Sequence, residues 1–177
     1  MNIHVETDRF LLRDIEESDV QGIYDLDSDP EVHEFLGKKP IKTMEEAEKV
    51  IAYIRGQYSS NGIGRWAIED KSTGDFIGWS GLKYEEEVRD YEYYDIGYRI
   101  QKKHWGKGIA TETAIAALNY GFEQMNLPQI SGGAEAAHTV SNHILQKIGL
   151  RFVESFLLEG DDCNWYSLKK TEWGSVK

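Results

Sequence analysis

Residues 105–111 (Trp-Gly-Lys-Gly-Ile-Ala-Thr) combine the residue types that bind phosphate at the start of a helix. Gly106 and Gly108 stand two residues apart, between a strand-like pattern and a helical pattern. The first N–H groups of a helix lack intrahelical acceptors and the helix dipole adds positive potential, so this end of a helix attracts anions. Glycine lets the backbone approach a phosphate because it has no Cβ. The segment therefore predicts a site for a ligand with several phosphates, and three lysines add positive charge there: Lys102, Lys103 and Lys107.

Two other phosphate-binding motifs do not fit this segment. Thr111 stands where the dinucleotide fingerprint Gly-x-Gly-x-x-Gly needs its third glycine. Lys107 is followed by Gly108 rather than by Ser or Thr, and the earlier glycine of a P-loop is absent. Two glycines by themselves are also consistent with a tight turn, so the glycines alone do not identify the ligand.

The hydrophobic periodicity on both sides of the segment predicts a mixed α/β sheet. Thr43 and Glu46 form a capping-box pattern at the start of one helix, and Asp29-Pro30 predicts the start of a short one. Three strands upstream of the glycines have the spacing of an antiparallel meander. The expected helices are 16–27, a short one from 29, one from 43, 108–125 and 141–148; the expected strands are 9–13, 65–69, 76–84, 91–100, 129–135, 151–158 and 165–170.

Composition excludes several classes of protein. There are 31 acidic and 20 basic residues, a formal net charge of −11, which disfavours nucleic-acid binding and favours cationic partners, although acidity also serves solubility. Cys163 is the one cysteine, so no internal disulfide forms and no metal site is expected. The sequence shows no signal-peptide pattern and no apolar run of the roughly 20 residues that cross a bilayer. We therefore expect a cytoplasmic protein with a single domain, residues 1–177, that binds no membrane.

Three stretches of the chain resemble the GNAT N-acetyltransferase superfamily. Residues 95–98 (Asp-Ile-Gly-Tyr) followed by 105–112 (Trp-Gly-Lys-Gly-Ile-Ala-Thr-Glu) resemble its coenzyme A-binding motif, in the form found in ribosomal-protein N-terminal (alanine/serine) acetyltransferases. Residues 141–150 resemble that branch's signature Asn-x-x-Ser-x-x-x-Leu-Glu-Lys-x-Gly-Phe, and 7–13 resemble its first strand. The stretches occur in the family's order and spacing.

The resemblance implies a GNAT fold and a set of coenzyme A contacts. The fold would be a mostly antiparallel sheet of about seven strands, with helices on both faces and a central parallel pair, strands 94–100 and 129–135, that splay apart around the pantetheine arm of acetyl-CoA. Lys103 stands at the family's Gln/Arg position, and His138 replaces its Asn. The residues assigned to coenzyme A are Tyr98, Arg99, Ile100, Lys103, Trp105, Gly106, Lys107, Gly108, Ile109, Ala110, Thr111, His138, Ser141 and Asn142.

The resemblance also implies direct attack of an amine on the thioester, without an acyl-enzyme. An alkylammonium must first lose a proton, so a carboxylate base is expected, with Asp95 and Glu92 as candidates. Both belong to an acidic cluster that is equally consistent with a solvated edge. Ser141 is the candidate donor to the leaving thiolate; it is also a favourable N-cap residue for the helix that we expect at 141–148.

The acceptor stays open at this point. The branch implies a protein N-terminus, and a small amine such as a polyamine, aminoglycoside or amino acid is the alternative. A non-catalytic coenzyme A sensor would retain Gly106 and Gly108 without needing Ser141 or a base, and a nicotinamide enzyme is disfavoured by Thr111. Homodimers are common in the family, but no interface is marked. Aromatic residues suited to a cationic amine, or to the core, are Trp66, Trp79, Tyr84, Tyr91, Tyr93 and Tyr94.

Overall fold

The computed structural model describes residues 1–174 and arranges eight strands in one sheet. The strands are β1 (Ile3–Glu6), β2 (Phe10–Arg13), β3 (Trp66–Asp70), β4 (Phe76–Glu85), β5 (Tyr93–Ile100), β6 (Gln129–Glu135), β7 (Arg151–Leu158) and β8 (Asp161–Lys169). Their spatial order is β1-β2-β3-β4-β5-β6-β8-β7. Every neighbouring pair is antiparallel except β5 and β6, which are parallel. The predicted meander and the predicted parallel pair are both confirmed.

Helices cover both faces of the sheet. They are α1 (Val20–Asp27), α2 (Met44–Asn61), α3 (Ile109–Asn119), α4 (Thr139–Lys147) and α5 (Lys170–Trp173), with 3-10 turns at Glu17–Asp19 and Lys102–His104 and a π-helical turn at Tyr120–Gln124. One buried cluster joins α1 and α2 to the sheet through Ala67, and the other joins α3, α4 and α5 to it through Ile96 and Ile100. The capping box that starts α2 is present, because Thr43 accepts the N–H of Glu46 and Glu46 bonds back to Thr43. No helix within residues 1–174 is long and apolar enough to cross a membrane.

The parallel strands β5 and β6 are in register at one pair only, Asp95 with Ser131. Among the described residues no further register pair joins the strands beyond it, toward their carboxyl ends, Ile100 and Glu135. Gly132 follows the contact, and a Cβ there would lie 3.0 Å from a side-chain methyl carbon of Ile96. Glycine therefore lets β6 pass β5 closely just before the strands diverge.

Three sequence-based predictions about the elements need correction. β1 makes the sheet one strand larger than the seven expected; it pairs only with β2 at the sheet edge. Asp29-Pro30 does not start a regular helix: the Asp29 carboxylate accepts the N–H of Glu31 at 2.9 Å, as an N-cap would, but residues 30–38 form successive turns. Gly37, with φ of 81°, and Lys38, with φ of 53°, are in the left-handed region and interrupt any helix there.

The third correction concerns two helix boundaries. The helix expected at 108–125 is α-helical only to Asn119 and continues as a π-helical turn. α4 begins at Thr139, with His138 at the cap position. Ser141 is consequently the third residue of α4 and not its N-cap, so the capping role considered for it is wrong.

Candidate active site

The glycine segment forms a turn whose backbone requires glycine and leads directly into α3. Gly106 and Gly108 both have φ of 73°, and Gly108 is the cap residue of α3. A Cβ at Gly106 would meet nothing within 4 Å, so the positive φ rather than crowding selects glycine there. No side chain within the described residues caps this end of α3. Its first N–H groups are thus available to an anion.

Charged and aromatic side chains surround this turn. Lys103 and Lys107 are exposed, whereas Lys102 forms an ion pair with Glu31. The indole of Trp105 is 47% exposed and donates a hydrogen bond of 2.8 Å from Nε1 to the carbonyl of Ile100, which joins the turn to the end of β5. The predicted phosphate-binding surface is therefore exposed and positively charged.

Arg9 is a residue of this region that the sequence reading missed. Its Nε donates to Glu112 Oε2 at 2.7 Å, and its N–H donates to Glu112 Oε1 at 3.3 Å. Glu112 lies in the first turn of α3, where its charge would repel a phosphate. The pairing offsets that charge, and 103 residues separate the partners in sequence, so no local pattern indicates it.

The backbone of β5 presents hydrogen-bonding groups to the opening between β5 and β6. In an antiparallel pair, successive residues direct their N–H and C=O groups alternately toward and away from the partner strand. Gln101 donates its N–H to Ile77 at 3.0 Å at the end of the β4–β5 ladder. By alternation the backbone N–H and C=O groups of Arg99 also face β4, while those of Tyr98 and Ile100 face β6. Because β6 is no longer paired with β5 at these residues, the backbone groups of Tyr98 and Ile100 face the gap between the two strands.

Two predicted coenzyme A contacts occupy other surroundings. The Arg99 side chain lies 2.7 Å from the carboxylate of Asp27, which is 1% exposed, and stacks over Trp79. Ile109 is 5% exposed and its side chain belongs to the core. Arg99 is therefore omitted from the site proposed below, and Ile109 enters it only through its N–H.

Tyr98 and Ser141 meet at the open end of the parallel pair. The Tyr98 hydroxyl lies 3.2 Å from Ser141 Oγ and donates to the Ser141 carbonyl, also at 3.2 Å. Burial raises the pKa of the Tyr98 phenol, while its hydrogen bond to Ser141 acts weakly in the other direction. The phenol therefore stays protonated at neutral pH and remains a donor beside the serine.

His138 and Asn142 lie at the same end of α4 but differ in whether their side chains can still hydrogen-bond to a ligand. The Asn142 amide donates to the carbonyls of Glu135 and His138 at 2.9 and 2.7 Å, and its oxygen accepts from Asn164 and Tyr166. Its side chain is thus fully hydrogen-bonded within the protein, so any contact with coenzyme A falls to its backbone. Burial lowers the pKa of His138 and keeps the imidazole neutral.

The aromatic ring of His138 also joins two segments. It stacks on Phe35 with ring centroids 4.5 Å apart. Phe35 belongs to the turns between α1 and α2, so this contact brings that segment against the start of α4.

Asp95 faces α2 from the centre of the sheet and is ion-paired with Arg65. Arg65 Nη1 also donates to the carbonyls of Gly81 and Asp95 at 2.6 and 2.8 Å. A Cβ at Gly97 would lie 2.6 Å from Arg65 Nη2, so the glycine makes room for this guanidinium. Burial raises the pKa of Asp95, and the nearby charge of Arg65 opposes that rise. A carboxylate with a raised pKa is better matched to proton transfer near neutral pH than an ordinary one.

The second candidate base, Glu92, lies just before β5 and is exposed. Its hydrogen bond with Tyr84 raises the pKa of that phenol to about 12. The structure thus places Asp95 within the central strand and Glu92 at the rim. Within the described residues no group of three or more His, Cys, Asp or Glu side chains has the arrangement of a metal site.

Comparison with known proteins identifies the class to which this architecture belongs. A family model described as acetyltransferase (GNAT) domain matches residues 9–151. The chain belongs to this family and is an N-acetyltransferase. The sequence is 28% identical over 172 residues to the uncharacterized N-acetyltransferase YoaA of Bacillus subtilis (strain 168), covering 94% of this chain and 96% of YoaA.

Solved structures share the fold at low sequence identity. The ribosomal L7/L12 α-N-protein acetyltransferase RimL, in complex with coenzyme A, superposes with a TM-score of 0.80 at 17% identity, covering 95% of this chain and 98% of RimL. The spermidine N-acetyltransferase from Vibrio cholerae, in complex with CoA and spermine, has a TM-score of 0.76 at 20% identity, covering 94% and 99% of the two chains. The two enzymes are named for acceptors of different chemistry, a protein amine and a polyamine.

Proposed function

We propose that this N-acetyltransferase moves the acetyl group of acetyl-CoA directly onto a primary amine, with both substrates bound together. One observation carries the proposal: Asp95 and Ser131 are the one register pair of β5 and β6 among the described residues, and beyond it the backbone groups of Tyr98 and Ile100 face β6 with no ladder partner there. The exposed N-terminus of α3 follows β5 after the glycine turn. A ligand with an amide-rich arm and a pyrophosphate suits this combination.

The residues at this gap fit coenzyme A. Gly106, Lys107, Gly108, Ala110 and Thr111 would hold the pyrophosphate, mainly through N–H groups, together with the N–H of Ile109. Lys103 and Trp105 would border it, and Tyr98 and Ile100 would bind the pantetheine amides and polarise the thioester carbonyl through their backbone. A preorganised donor of this type is typically worth about 10²–10³ in rate. Bound acetyl-CoA supplies an acetyl group activated as a thioester.

Protons move through side chains on either side of the gap. Asp95 is proposed to accept, directly or through water, the proton that the ammonium loses before attack, with Glu92 as the alternative base. The amine lone pair attacks the thioester carbonyl carbon, so that a C–N bond replaces the C–S bond and the sulfur leaves with the electron pair of the bond that breaks. The nitrogen then loses its second proton, which ends on the thiolate and gives the free thiol of coenzyme A. Ser141 Oγ, 3.2 Å from the Tyr98 hydroxyl, is proposed to donate a hydrogen bond to that sulfur, and His138 lines the same end of α4.

Two acceptors are supported by different observations. A protein N-terminal amine, of the ribosomal-protein type, is supported by the resemblance of residues 95–112 and 141–150 to that branch and by the shared fold with RimL. A small cationic amine is supported by the formal charge of −11 and by a groove between α2 and residues 84–87 that is lined by Glu85, Glu86 and Glu87. Both reactions use the same donor site and the same base.

A thiol-trapping assay with acetyl-CoA tests the proposal. Peptides that begin with Ala or Ser, the same peptides with blocked N-termini, and small amines are supplied as acceptors. We expect thiol release with at least one free amine, and mass spectrometry should locate the acetyl group on it. Absence of thiol release with every amine, at protein concentrations that bind coenzyme A in calorimetry, would contradict the proposal.

A further inference from the structure

We propose that a groove between α2 and the end of β4 binds a second positive charge of the acceptor, so that the acceptor is a small aliphatic diamine or polyamine. The inference rests on the proposed function, because it assigns a subsite to the amine substrate of that reaction. The groove is distinct from the coenzyme A-binding residues, which lie on β5, α3 and α4.

The groove has a cavity volume of about 400 Å³, comparable to small-molecule sites. One wall is the carboxyl-terminal half of α2, including Tyr53 and Gln57, and the other is formed by residues 84–87 (Tyr-Glu-Glu-Glu). The side chains of Glu86 and Glu87 are exposed, and Glu85 is 8% exposed. Such a wall of carboxylates attracts cations and repels anions.

A cation from the protein itself already uses this wall. Lys83 Nζ lies 2.6 Å from Glu85 Oε2 and 5.8 Å from the centroid of the Tyr53 ring. An alkylammonium between a carboxylate and an aromatic face is the arrangement that a bound amine would adopt. Lys83 neutralises one of the three glutamates, and the charges of Glu86 and Glu87 remain for a ligand.

Gln57 provides an independent indication of a ligand. The residue is 8% exposed, it lines the groove, and its Oε1 is buried with no hydrogen-bond partner among the described residues. A buried acceptor without a donor is costly, at roughly 1–3 kcal/mol. An ammonium or amine N–H that reached this oxygen on binding would supply the missing donor.

Glu85, which lines the groove, and the proposed base Asp95 lie on the same face of the sheet. Lys83 is paired in register with Asp95, and Glu85 with Tyr93. Alternate residues of a strand share a face, so Glu85 and Asp95 are diagonal neighbours on the face that carries α2. Diagonal neighbours lie about 7–8 Å apart. Glu86 and Glu87 directly follow Glu85 in the chain, so an aliphatic spacer somewhat longer than this distance would hold one nitrogen at them while the other reaches Asp95.

A matched pair of acceptors tests the subsite. Butylamine and 1,4-diaminobutane have the same carbon chain and differ by one cation. We expect kcat/KM for the diamine to exceed that for butylamine by about tenfold or more. The double variant Glu86→Gln/Glu87→Gln should raise KM for the diamine about tenfold, with kcat nearly unchanged and butylamine turnover unaffected. Gln57→Leu should also raise KM for the diamine.

Controls separate a failed subsite from a failed enzyme. Glu159→Gln removes one charge from the exposed turn between β7 and β8, outside the groove, and should leave both amines unaffected. Equal kcat/KM for both amines, faster turnover of a peptide whose only cation is its N-terminus, or a double variant without effect would overturn the inference. If no amine released thiol, calorimetry with 1,4-diaminobutane would still decide it: binding lost in the double variant supports the groove, and no binding to the wild type overturns it.

Discussion

The hydroxyls of Tyr98 and Ser141 lie 3.2 Å apart, joining the last third of β5 to the first turn of α4. The two residues are 43 positions apart in sequence. Their contact lies beside the part of β5 that is no longer paired with β6. The Tyr98 phenol, which stays protonated, therefore positions the Ser141 hydroxyl at the end of the gap between the two strands.

Ser141→Ala should lower kcat about 10²-fold while leaving coenzyme A binding nearly unchanged, because the hydroxyl is proposed to act on the departing sulfur. Initial rates and calorimetry with coenzyme A measure the two effects. Thr139→Ala, at the exposed first position of α4, is the control. An equal loss of binding and of rate in Ser141→Ala would point to a packing role instead.

Gly108→Ala should lower the affinity for acetyl-CoA, and this loss should exceed its effect on the free energy of unfolding. Its φ of 73° costs an alanine roughly 1–2 kcal/mol, and the strain falls on the turn that aims the N–H groups of α3. Gly160→Ala is a matched control, since Gly160 has φ of 89° with nothing near a Cβ and lies in the β7–β8 turn. Calorimetry and urea unfolding compare the variants. Similar affinities in both would contradict the role assigned to Gly108.

Asp95→Asn should abolish most activity and change its pH dependence. A base works when deprotonated, and burial raises the pKa of Asp95 against the opposing effect of Arg65. The kcat/KM of the wild type should therefore rise with pH through a value above the ordinary carboxyl range, near 3.9 for Asp. Rate–pH profiles of Asp95→Asn and Glu92→Gln test this. A rise that persists in the first and vanishes in the second would make Glu92 the base.

Gly97→Ala should destabilise the protein by roughly 1–3 kcal/mol. The added methyl group would stand 2.6 Å from Arg65 Nη2, and the guanidinium would have to leave the carbonyls of Gly81 and Asp95. Urea unfolding measures the loss. Gly56→Ala is the control, because a Cβ added at this position of α2 would meet nothing within 4 Å, and it should be neutral or stabilising. A similar loss of stability in Gly56→Ala would show that the effect at Gly97 does not come from the contact with Arg65.

Local patterns predicted the elements well because their signals are short-range. The Thr43–Glu46 capping box and the alternation of residues 94–100 each fix an element through neighbours a few residues apart. The helix predicted from Asp29-Pro30 is absent although the capping bond from Asp29 is present, because residues a few positions later, Gly37 and Lys38, have left-handed backbone conformations. Ser141 was predicted by resemblance, but its distance to Tyr98 depends on the packing of α4.

The residues missed by sequence reading are those whose partners are distant. Arg65 is 30 residues from Asp95, Arg9 is 103 from Glu112, and Gln57 meets the glutamates of β4 only through the docking of α2. Arg65 and Gln57 stand in no motif, and Arg9 lies in the stretch that resembles the family's first strand, which indicates no partner for it. Gly97 carried the one available signal, because a glycine inside a strand often marks a close approach by another group.

Because β5 and β6 share a single register pair, few backbone hydrogen bonds join strands β1–β5 to strands β6–β8. The two parts of the sheet are therefore held together mainly by the helices that pack against both, chiefly α3 and α4. Motion of one part of the sheet relative to the other would change the width of the gap without breaking the hydrogen bonds within either part. A ligand bound in the gap would supply, through its own amides, the hydrogen bonds that β5 and β6 do not make to each other. The amide protons of Tyr98 and Ile100 would then exchange with solvent more slowly than in the free protein.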